Sequence, residues 1–364
     1  MRKAFVNARI YRDRTLYEGS LAIEDGKIAA YISGEEAIDV EGDILIPGLI
    51  DIHTHGRSGC DFCDASENDI LFMKAKYAER GVTTVIPTLA SDTLEKMLEK
   101  VALISALGFP AAHIEGRYLN EAKKGAHASH LIAPLNKDEV ELFAKAANGM
   151  HLHFSCAFEL DEGGEFLSAI KSHAYTASLA HTNATYSEAL DCITRGVSSF
   201  THLFNAMPPI HHRAGGAVVA GLTSDAYTEI ICDGLHLAPE TVKLVRTAKS
   251  QDKVVLITDS MMGTGCSDGN YSIAGNPVVL KDGRAYTLDG ALAGSTLELL
   301  NGVKNYAAFT GASFAEAVAC ATENPASLIG LSDRGRLDIG CKADILRLGK
   351  GLELKEIYIS GNKA

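Results

Sequence analysis

The sequence lacks any apolar run that approaches the roughly 20 residues needed to cross a bilayer as a helix. Its first residues, MRKAFVNARIYRDRTLYEG, are interrupted by charges and lack the apolar core of a secretory signal segment. These two absences predict a cytoplasmic protein that has no membrane partner.

An excess of basic residues is also absent. The chain of 364 residues has 34 lysines and arginines against 46 aspartates and glutamates, a formal net charge of −12. Because nucleic-acid-binding domains carry a basic footprint, we expect no nucleic-acid partner. An anionic ligand must instead be bound by local cationic groups, since the overall field of the protein repels it.

The eight cysteines do not form an obvious disulfide framework, because they are scattered and mostly lie in apolar runs. In a cytosolic chain such cysteines are reduced core residues. Cys60 and Cys63 form one CxxC pair, without a second pair or a thioredoxin-like setting. We therefore interpret this pair as structural, with a metal or redox site as the alternative.

The two ends of the chain share a pattern of short strand-like runs broken by turn residues. Because the termini of a domain often lie close together, we predict one small β-sandwich domain built from residues 1–47 and 335–364. Residues 48–334 form the larger, second domain in this interpretation.

The middle of the chain alternates strand-like and helix-like segments, a pattern typical of a parallel α/β sheet. No GxGxxG follows the first strand, which argues against an open, doubly wound sheet. The count of eight strands instead predicts a (β/α)8 TIM-type barrel. The strand-like runs are residues 49–55, 83–90, 111–118, 150–158, 176–182, 198–204, 229–235 and 254–260.

Histidines and carboxylates stand at the carboxyl ends of these runs, where active sites of such barrels are built. Imidazole and carboxylate groups on separate strands that meet at one mouth suit a divalent ion such as zinc or iron. His53 and His55 point the same way because strand side chains alternate between faces. The strand-end residues are His53, His55, Glu115, His181, His202, Asp233, His236 and Asp259.

Five other histidines are given no chemical role. His151 and His153 also form a His-x-His pair, but they open the fourth strand instead of closing it, so we interpret them as structural. His211 and His212 are interpreted as loop residues, and His173 precedes the fifth strand.

The motif DIHTH (51–55), together with His181, His202 and Asp259, resembles the amidohydrolase superfamily. Many members bridge their metals with a carboxylated lysine on the fourth strand, but MHLHFSCAF has no lysine and Glu115 takes that place. This points to the branch of N-acetylglucosamine-6-phosphate deacetylases. The matching stretches are HIEG (113–116), KKGAH (123–127), AHTNATY (180–186), THLFNAM (201–207), CDGLH (232–236), ITD (257–259) and LAGSTL (292–297).

The resemblance implies hydrolysis of the acetamide of N-acetylglucosamine 6-phosphate by a metal-activated water. It implies that Glu115, His181 and His202 bind the main ion, with His53 and His55 at a second ion. The cofactor is then one or two divalent ions, zinc in the first place and iron or another divalent ion as the alternative.

The resemblance also assigns a catalytic residue and a substrate site. Asp259 is the expected general base and acid, and His127 is expected to help polarise the acetyl carbonyl. Arg213 is expected to bind the phosphate, because a guanidinium group donates two parallel hydrogen bonds to it. It is expected to do so in its own chain or in the neighbouring subunit of a homodimer, and a salt bridge within its loop is the alternative. The substrate-binding residues implied are Ala126, His127, Asn205, Ala206, Arg213, Asp233, His236, Leu292, Ala293 and Gly294.

One position departs from the family pattern, because Arg117 stands where these deacetylases usually have proline after HxEG. We expect Arg117 either to contact the substrate or to pair with an acid outside the site. This keeps N-acetylgalactosamine 6-phosphate open as a substrate. Another amidohydrolase acting on a cyclic amide, an N-acyl amino acid or a nucleobase, and a non-catalytic barrel used as a binding module, are further alternatives.

Overall fold

The computed structural model describes residues 2–34, 36–273 and 275–364. The N-terminal part of the chain contributes five strands to one mixed sheet, and the C-terminal part adds three more to the same sheet. The first five are β1 (Arg2–Arg12), β2 (Thr15–Glu24), β3 (Lys27–Ala29), β4 (Ile38–Asp39) and β5 (Ile44–Pro47).

The barrel sheet begins directly after β5. Gly48 is required at this junction, because a Cβ there would lie 2.0 Å from Thr83 Oγ1. The strands that follow are β6 (Leu49–Thr54), β7 (Gly56–Arg57), β8 (Cys60–Asp61), β9 (Val82–Ala90), β10 (Ala111–Glu115), β11 (His151–Cys156), β12 (Thr176–Leu179), β13 (Ser199–Phe200), β14 (Tyr227–Ile231) and β15 (Val254–Ile257).

Apart from the small hairpin of β7 and β8, these strands pair in parallel and in chain order from β6 to β15. Backbone hydrogen bonds between the ends of β6 and β15 bring the ring together. The Asp259 N–H donates to the His53 carbonyl at 2.9 Å, and the His55 N–H donates to the Ser260 carbonyl at 2.8 Å. The predicted eight-stranded barrel is thus confirmed.

Helices separate the barrel strands, and three of them begin with a capping box in which a Ser or Thr and an acidic side chain satisfy each other's backbone N–H groups. Among the described residues, none of the helices is both long and apolar enough to cross a membrane. The helices are α1 (Glu67–Ala78), α2 (Leu94–Ala106), α3 (Lys137–Ala147), α4 (Glu165–Ser172), α5 (Tyr186–Arg195), α6 (Gly216–Thr223), α7 (Pro239–Ala248), α8 (Leu299–Thr310), α9 (Phe314–Ala319) and α10 (Glu323–Leu328). Short 3-10 turns occur at Glu121–Lys123, Ser129–Leu131, Phe158–Leu160 and Gln251–Lys253.

A three-stranded antiparallel sheet, which the sequence pattern did not predict, follows β15: β16 (Gly269–Ile273), β17 (Asn276–Lys281) and β18 (Arg284–Thr287). The chain ends with β19 (Ile345–Leu348), β20 (Leu354–Ile359) and β21 (Asn362–Lys363), and β19 pairs with β5. The predicted joining of the two chain ends in one β unit is thereby confirmed. Domain limits at 47/48 and 334/335 stay a prediction.

The terminal sheet is tied together by a buried carboxylate. Asp43 accepts hydrogen bonds from Arg347 Nε at 2.7 Å and from Lys355 Nζ at 2.9 Å. Because Asp43 precedes β5 while its two partners lie on β19 and β20, this contact links the first and last parts of the chain.

Candidate metal centre and substrate cavity

Three of the predicted site residues lie where the chain turns sharply after a barrel strand. His181, His202 and Asp259 have φ angles of 44°, 30° and 51°, in the left-handed region that non-glycine residues rarely adopt. Such backbone conformations are concentrated at functional sites, where the surrounding structure maintains them. Here they turn each side chain towards the mouth of the barrel.

Glu115 occupies the centre of the site and lies close to four histidines. Its Oε1 atom is 3.0 Å from His202 Nε2 and 3.3 Å from both His181 Nε2 and His53 Nε2. Its Oε2 atom is 3.0 Å from His55 Nε2. The carboxylate therefore stands between the pair of histidines at the end of β6, His53 and His55, and the two histidines that follow β12 and β13.

The ligand atoms form two groups. In each of the sets His53–His55–Asp259 and Glu115–His181–His202, the candidate ligand atoms lie within 4.8 Å of one another. Within the first set, His55 Nε2 is 3.2 Å from Asp259 Oδ1. All six residues that the sequence analysis placed in the metal and base roles are thus brought together at one end of the barrel.

The hydrogen bonds of the histidines show which ring nitrogens are free to bind a cation. His181 Nδ1 donates to the Lys123 carbonyl at 2.8 Å, so the neutral ring has its lone pair on Nε2, towards Glu115. His53 Nδ1 lies 3.3 Å from Glu229 Oε2, and its buried Nε2 has no hydrogen-bond partner. Ring nitrogens whose lone pairs face the same carboxylate fit the binding of a divalent cation between them. The contacts of the opposite ring nitrogens, with the Lys123 carbonyl and Glu229, are of the kind that hold a metal-binding histidine in its orientation.

The charges of the site favour ionised carboxylates. Burial opposes ionisation of Glu115, but the adjacent His53, His181 and His202 hold its pKa well below the usual value. Burial likewise opposes ionisation of Asp259, but the adjacent His53 and His55 lower the pKa of that carboxyl group to about 2. Both carboxylates are therefore negative at neutral pH and available to a cation or a proton.

Two buried residues beneath the ligands were not assigned a role from the sequence. Glu229 lies between His53 and His153, with its Oε1 atom 3.4 Å from His153 Nε2. His113 is bonded to Thr88 and Ser155, and burial lowers its pKa well below the usual value. The alternation of side chains along a strand signals His113, since it stands two residues before Glu115 and so points to the same side.

A cavity of about 290 Å³ opens above the metal centre. Eight of the ten predicted substrate-binding residues line it, and so do Ala90, Gly125, Ile273 and Ala291, which were not predicted. The eight are Ala126, His127, Asn205, Ala206, His236, Leu292, Ala293 and Gly294.

Asp233 and Arg213 are not among the residues that line this cavity. Asp233 instead orients His236, because its Oδ2 atom is 2.7 Å from His236 Nδ1. Arg213 lies in an exposed loop with His211 and His212, where its Nη1 atom is 2.7 Å from His212 Nε2. A contact of Arg213 with a substrate in its own chain therefore has no support in the geometry, and its action in a neighbouring subunit stays a prediction.

The remaining sequence features lie outside the centre. The Arg117 Nε atom lies 3.3 Å from Glu139 Oε2. Of the two roles considered for Arg117, the structure therefore shows the ion pair with an acid outside the site. Cys60 and Cys63 are free thiols, and within the described residues neither belongs to a group able to hold a metal. His151 is bonded to Thr176, and His173 lies near Glu141.

Comparison with known proteins assigns the chain to a family. The Amidohydrolase family profile matches residues 44–363. The N-acetylglucosamine-6-phosphate deacetylase of Bacillus subtilis (strain 168) is 33% identical over 98% of this chain and 95% of its own length. The N-acetylgalactosamine-6-phosphate deacetylase of Escherichia coli O157:H7 is 31% identical over 96% and 95%. The crystal structure of N-acetylglucosamine-6-phosphate deacetylase from Thermotoga maritima superposes with a TM-score of 0.90 at 33% identity, covering 99% of each chain. This chain belongs to the amidohydrolase family.

Proposed function

We propose that this chain is a metal-dependent deacetylase that hydrolyses the acetamide of N-acetylglucosamine 6-phosphate to glucosamine 6-phosphate and acetate. The observation that carries the proposal is the position of Glu115 between two groups of ligand atoms, at a cavity whose wall also includes Asn205, Ala206 and His236. The relatives named for this activity match the chain over nearly its whole length.

The cation would be held by this chain's own imidazole and carboxylate groups. Glu115, His181 and His202 would bind one ion, and His53 and His55 would bind a second, with Glu115 between them. When bound, a divalent cation lowers the pKa of a water molecule towards neutrality and polarises a carbonyl oxygen. Zinc is our first choice because it prefers such nitrogen and oxygen donors, and iron is the alternative.

Asp259 is the proposed general base and acid. Its carboxylate lines the cavity and, with a pKa of about 2, is ionised at neutral pH. Its carboxylate accepts the proton of the attacking water and returns it to the leaving amine, which departs as a neutral group. A positioned base of this kind contributes about 10²- to 10⁴-fold to the rate.

His127 is proposed to assist at the acetyl oxygen. The residue is buried and lines the cavity, and burial lowers its pKa to about 3. The ring is therefore neutral across the working pH range. A neutral imidazole N–H that faces the carbonyl oxygen stabilises the negative charge that develops there.

The phosphate is proposed to bind at the Asn205 amide, the Ala206 backbone and the His236 ring. Asp233 supports this end of the cavity by orienting His236. Arg213 would complete the phosphate site from the neighbouring subunit of a homodimer. That part of the proposal is supported by the position of Arg213 in an exposed loop, away from the cavity of its own chain.

The second candidate substrate is N-acetylgalactosamine 6-phosphate, favoured by the full-length similarity to the Escherichia coli enzyme named for it. The two sugars differ only at C4, so kcat/KM for each, measured side by side, separates them. A preference of tenfold or more for the galactosamine derivative would replace our first choice of substrate.

The test of the proposed function is acetate release with the bound metal counted in parallel. Asp259→Asn is expected to lose at least 100-fold in kcat while it keeps its metal, because the amide oxygen remains at the ligand position. Asp252→Asn, in an exposed turn distant from the cavity, is the matched control and is expected to turn over normally.

Comparison of substrates with and without the phosphate completes this experiment. Equal kcat/KM for N-acetylglucosamine and its 6-phosphate would favour another amidohydrolase. Near wild-type turnover by Asp259→Asn would remove Asp259 from the role of base. A chain that binds metal and releases no acetate from either sugar would favour the binding-module alternative.

We also propose that the enzyme acts in the cytoplasm. All eight cysteines are free thiols in the structure, as is usual in a reducing compartment. Cell fractionation with an antibody to the chain tests this location.

A further inference from the structure

A buried serine holds the ring of His127 on the side that faces away from the metal centre. Ser91 directly follows β9 and is fully buried. Its Oγ atom lies 2.8 Å from His127 Nδ1, and its backbone N–H donates to the same nitrogen at 3.3 Å. The Ser91 hydroxyl also accepts the Arg117 N–H at 2.8 Å.

These contacts define which nitrogen of His127 carries the proton. A backbone N–H can only donate, so the Ser91 N–H requires a lone pair on Nδ1. The hydroxyl oxygen already accepts from Arg117 and has its own proton left for Nδ1. Two donors therefore converge on Nδ1, and the neutral ring carries its hydrogen on Nε2.

The Nε2 atom of His127 is directed to the cavity and the metal centre. It lies 3.8 Å from Glu115 Oε2, and the ring packs edge-on against His181 with centroids 4.8 Å apart. An N–H at this position is available to an oxygen atom of a ligand in the cavity. The opposite tautomer would present a lone pair there and would repel a developing oxyanion.

We propose that Ser91 is a positioning residue, which sets the tautomer and orientation of His127 so that the Nε2–H meets the acetyl oxygen. The identity of that oxygen rests on the proposed function, but the tautomer does not. Ser91 is not among the residues that line the cavity, and it acts through His127.

The loop after Glu115 is built to allow this arrangement. Gly116 has a φ of +120°, and a Cβ there would lie 2.2 Å from Ser91 Oγ, so a side chain would displace the hydroxyl. Arg117 has a φ of 42° and donates its N–H to Ser91. Proline could supply neither this φ nor an N–H. The backbone of Arg117 therefore connects the loop after Glu115 to His127 through the Ser91 hydroxyl, while the Arg117 side chain pairs with Glu139.

The test is nitrogen NMR of the zinc-loaded enzyme labelled with ¹⁵N-histidine, which distinguishes a protonated from a bare ring nitrogen. His127→Gln identifies the signals of this ring by their loss. In the wild type we expect a proton on Nε2 and a bare Nδ1. In Ser91→Ala we expect a mixture of tautomers, a fall in kcat of about tenfold or more, little change in KM and an unchanged zinc content.

Two further variants separate positioning from a purely structural role. Ser91→Cys keeps a weak donor and is expected to restore part of the wild-type tautomer signal and of kcat. Arg117→Ala keeps the backbone N–H and is expected to show the wild-type tautomer.

A proton on Nδ1 in the wild-type protein would overturn the proposal, and so would a Ser91→Ala enzyme with unchanged tautomer and kcat. If no acetamide sugar is hydrolysed, the proposed function fails while the NMR signals still decide the role of Ser91.

Discussion

The Glu229→Gln substitution tests whether the carboxylate beneath His53 supports metal binding. Glu229 is fully buried, with its Oε2 atom 3.3 Å from His53 Nδ1 and its Oε1 atom 3.4 Å from His153 Nε2. Glutamine has the same shape but lacks the negative charge. Its amide NH₂ group would replace one of the two carboxylate oxygens that now face the rings of His53 and His153. His53 therefore becomes a weaker and less well oriented ligand.

The size of the effect follows from this position. Loss of an outer partner of a metal-binding histidine costs about 10- to 100-fold in metal affinity, or about 1.4–2.7 kcal/mol. Only the group that contains His53 is affected directly, whereas Glu115, His181 and His202 keep their contacts. If the enzyme binds two ions, we expect one zinc equivalent to weaken and the other to be retained.

Competition between the protein and a chromophoric zinc chelator measures these affinities. Glu139→Gln is the matched control, because it makes the same chemical change in a carboxylate that contacts Arg117 and Tyr118 outside the cavity. That control is expected to bind zinc like the wild type. Unchanged zinc affinity in Glu229→Gln would refute the argument that this buried charge supports the centre.

Three further predictions concern the terminal sheet, the subunit arrangement and the metal. Asp43→Asn should lower the free energy of unfolding by about 1–3 kcal/mol at pH 7, because the carboxylate accepts charged hydrogen bonds from Arg347 and Lys355. Burial opposes ionisation of Asp43, but Lys355 and Arg347 lower the pKa of this carboxyl group. The ionised carboxylate therefore stabilises the folded protein above the unfolded pKa of about 3.9, and this contribution is lost as the pH falls through the folded pKa. Urea unfolding should show a smaller deficit at pH 3 than at pH 7, and an equal deficit at both would be inconsistent with this assignment. Mixing Arg213→Ala with Asp259→Asn subunits should restore part of the activity that each lacks alone, whereas no recovery would place Arg213 outside the neighbouring site. Chelation of the metal should lower the Tm, since an ion at 1,000 times its Kd contributes about 4 kcal/mol to the folded state, and calorimetry with zinc added back should restore it. An unchanged Tm would mean that the folded chain does not bind the ion tightly.

The strands and the ligand histidines were accessible from the sequence because each signal is local. Apolar runs define the eight barrel strands, and parallel pairing brings the residues at their carboxyl ends to one mouth. The strand limits were less accurate. The run 198–204 forms a strand only at Ser199–Phe200, because the chain turns into the left-handed conformation at His202.

Other features depend on contacts between distant parts of the chain. The sheet β16–β18 consists of short strands with exposed faces, and the Asn276 side chain donates to the Ala126 carbonyl at 2.7 Å. Glu229 begins an apolar run, and only the ring of strands places it between two histidines. The separation of Arg213 from the cavity likewise follows from the path of its loop.

The proposed metal centre is tested most directly by a crystal structure of Asp259→Asn with zinc and N-acetylglucosamine 6-phosphate, with the ion located by anomalous diffraction. We expect an anomalous peak about 2.0–2.2 Å from the ligand atoms of Glu115, His181 and His202, and a phosphate beside Asn205 and His236. A zinc ion bound elsewhere while those three side chains remain unliganded would contradict the proposed centre.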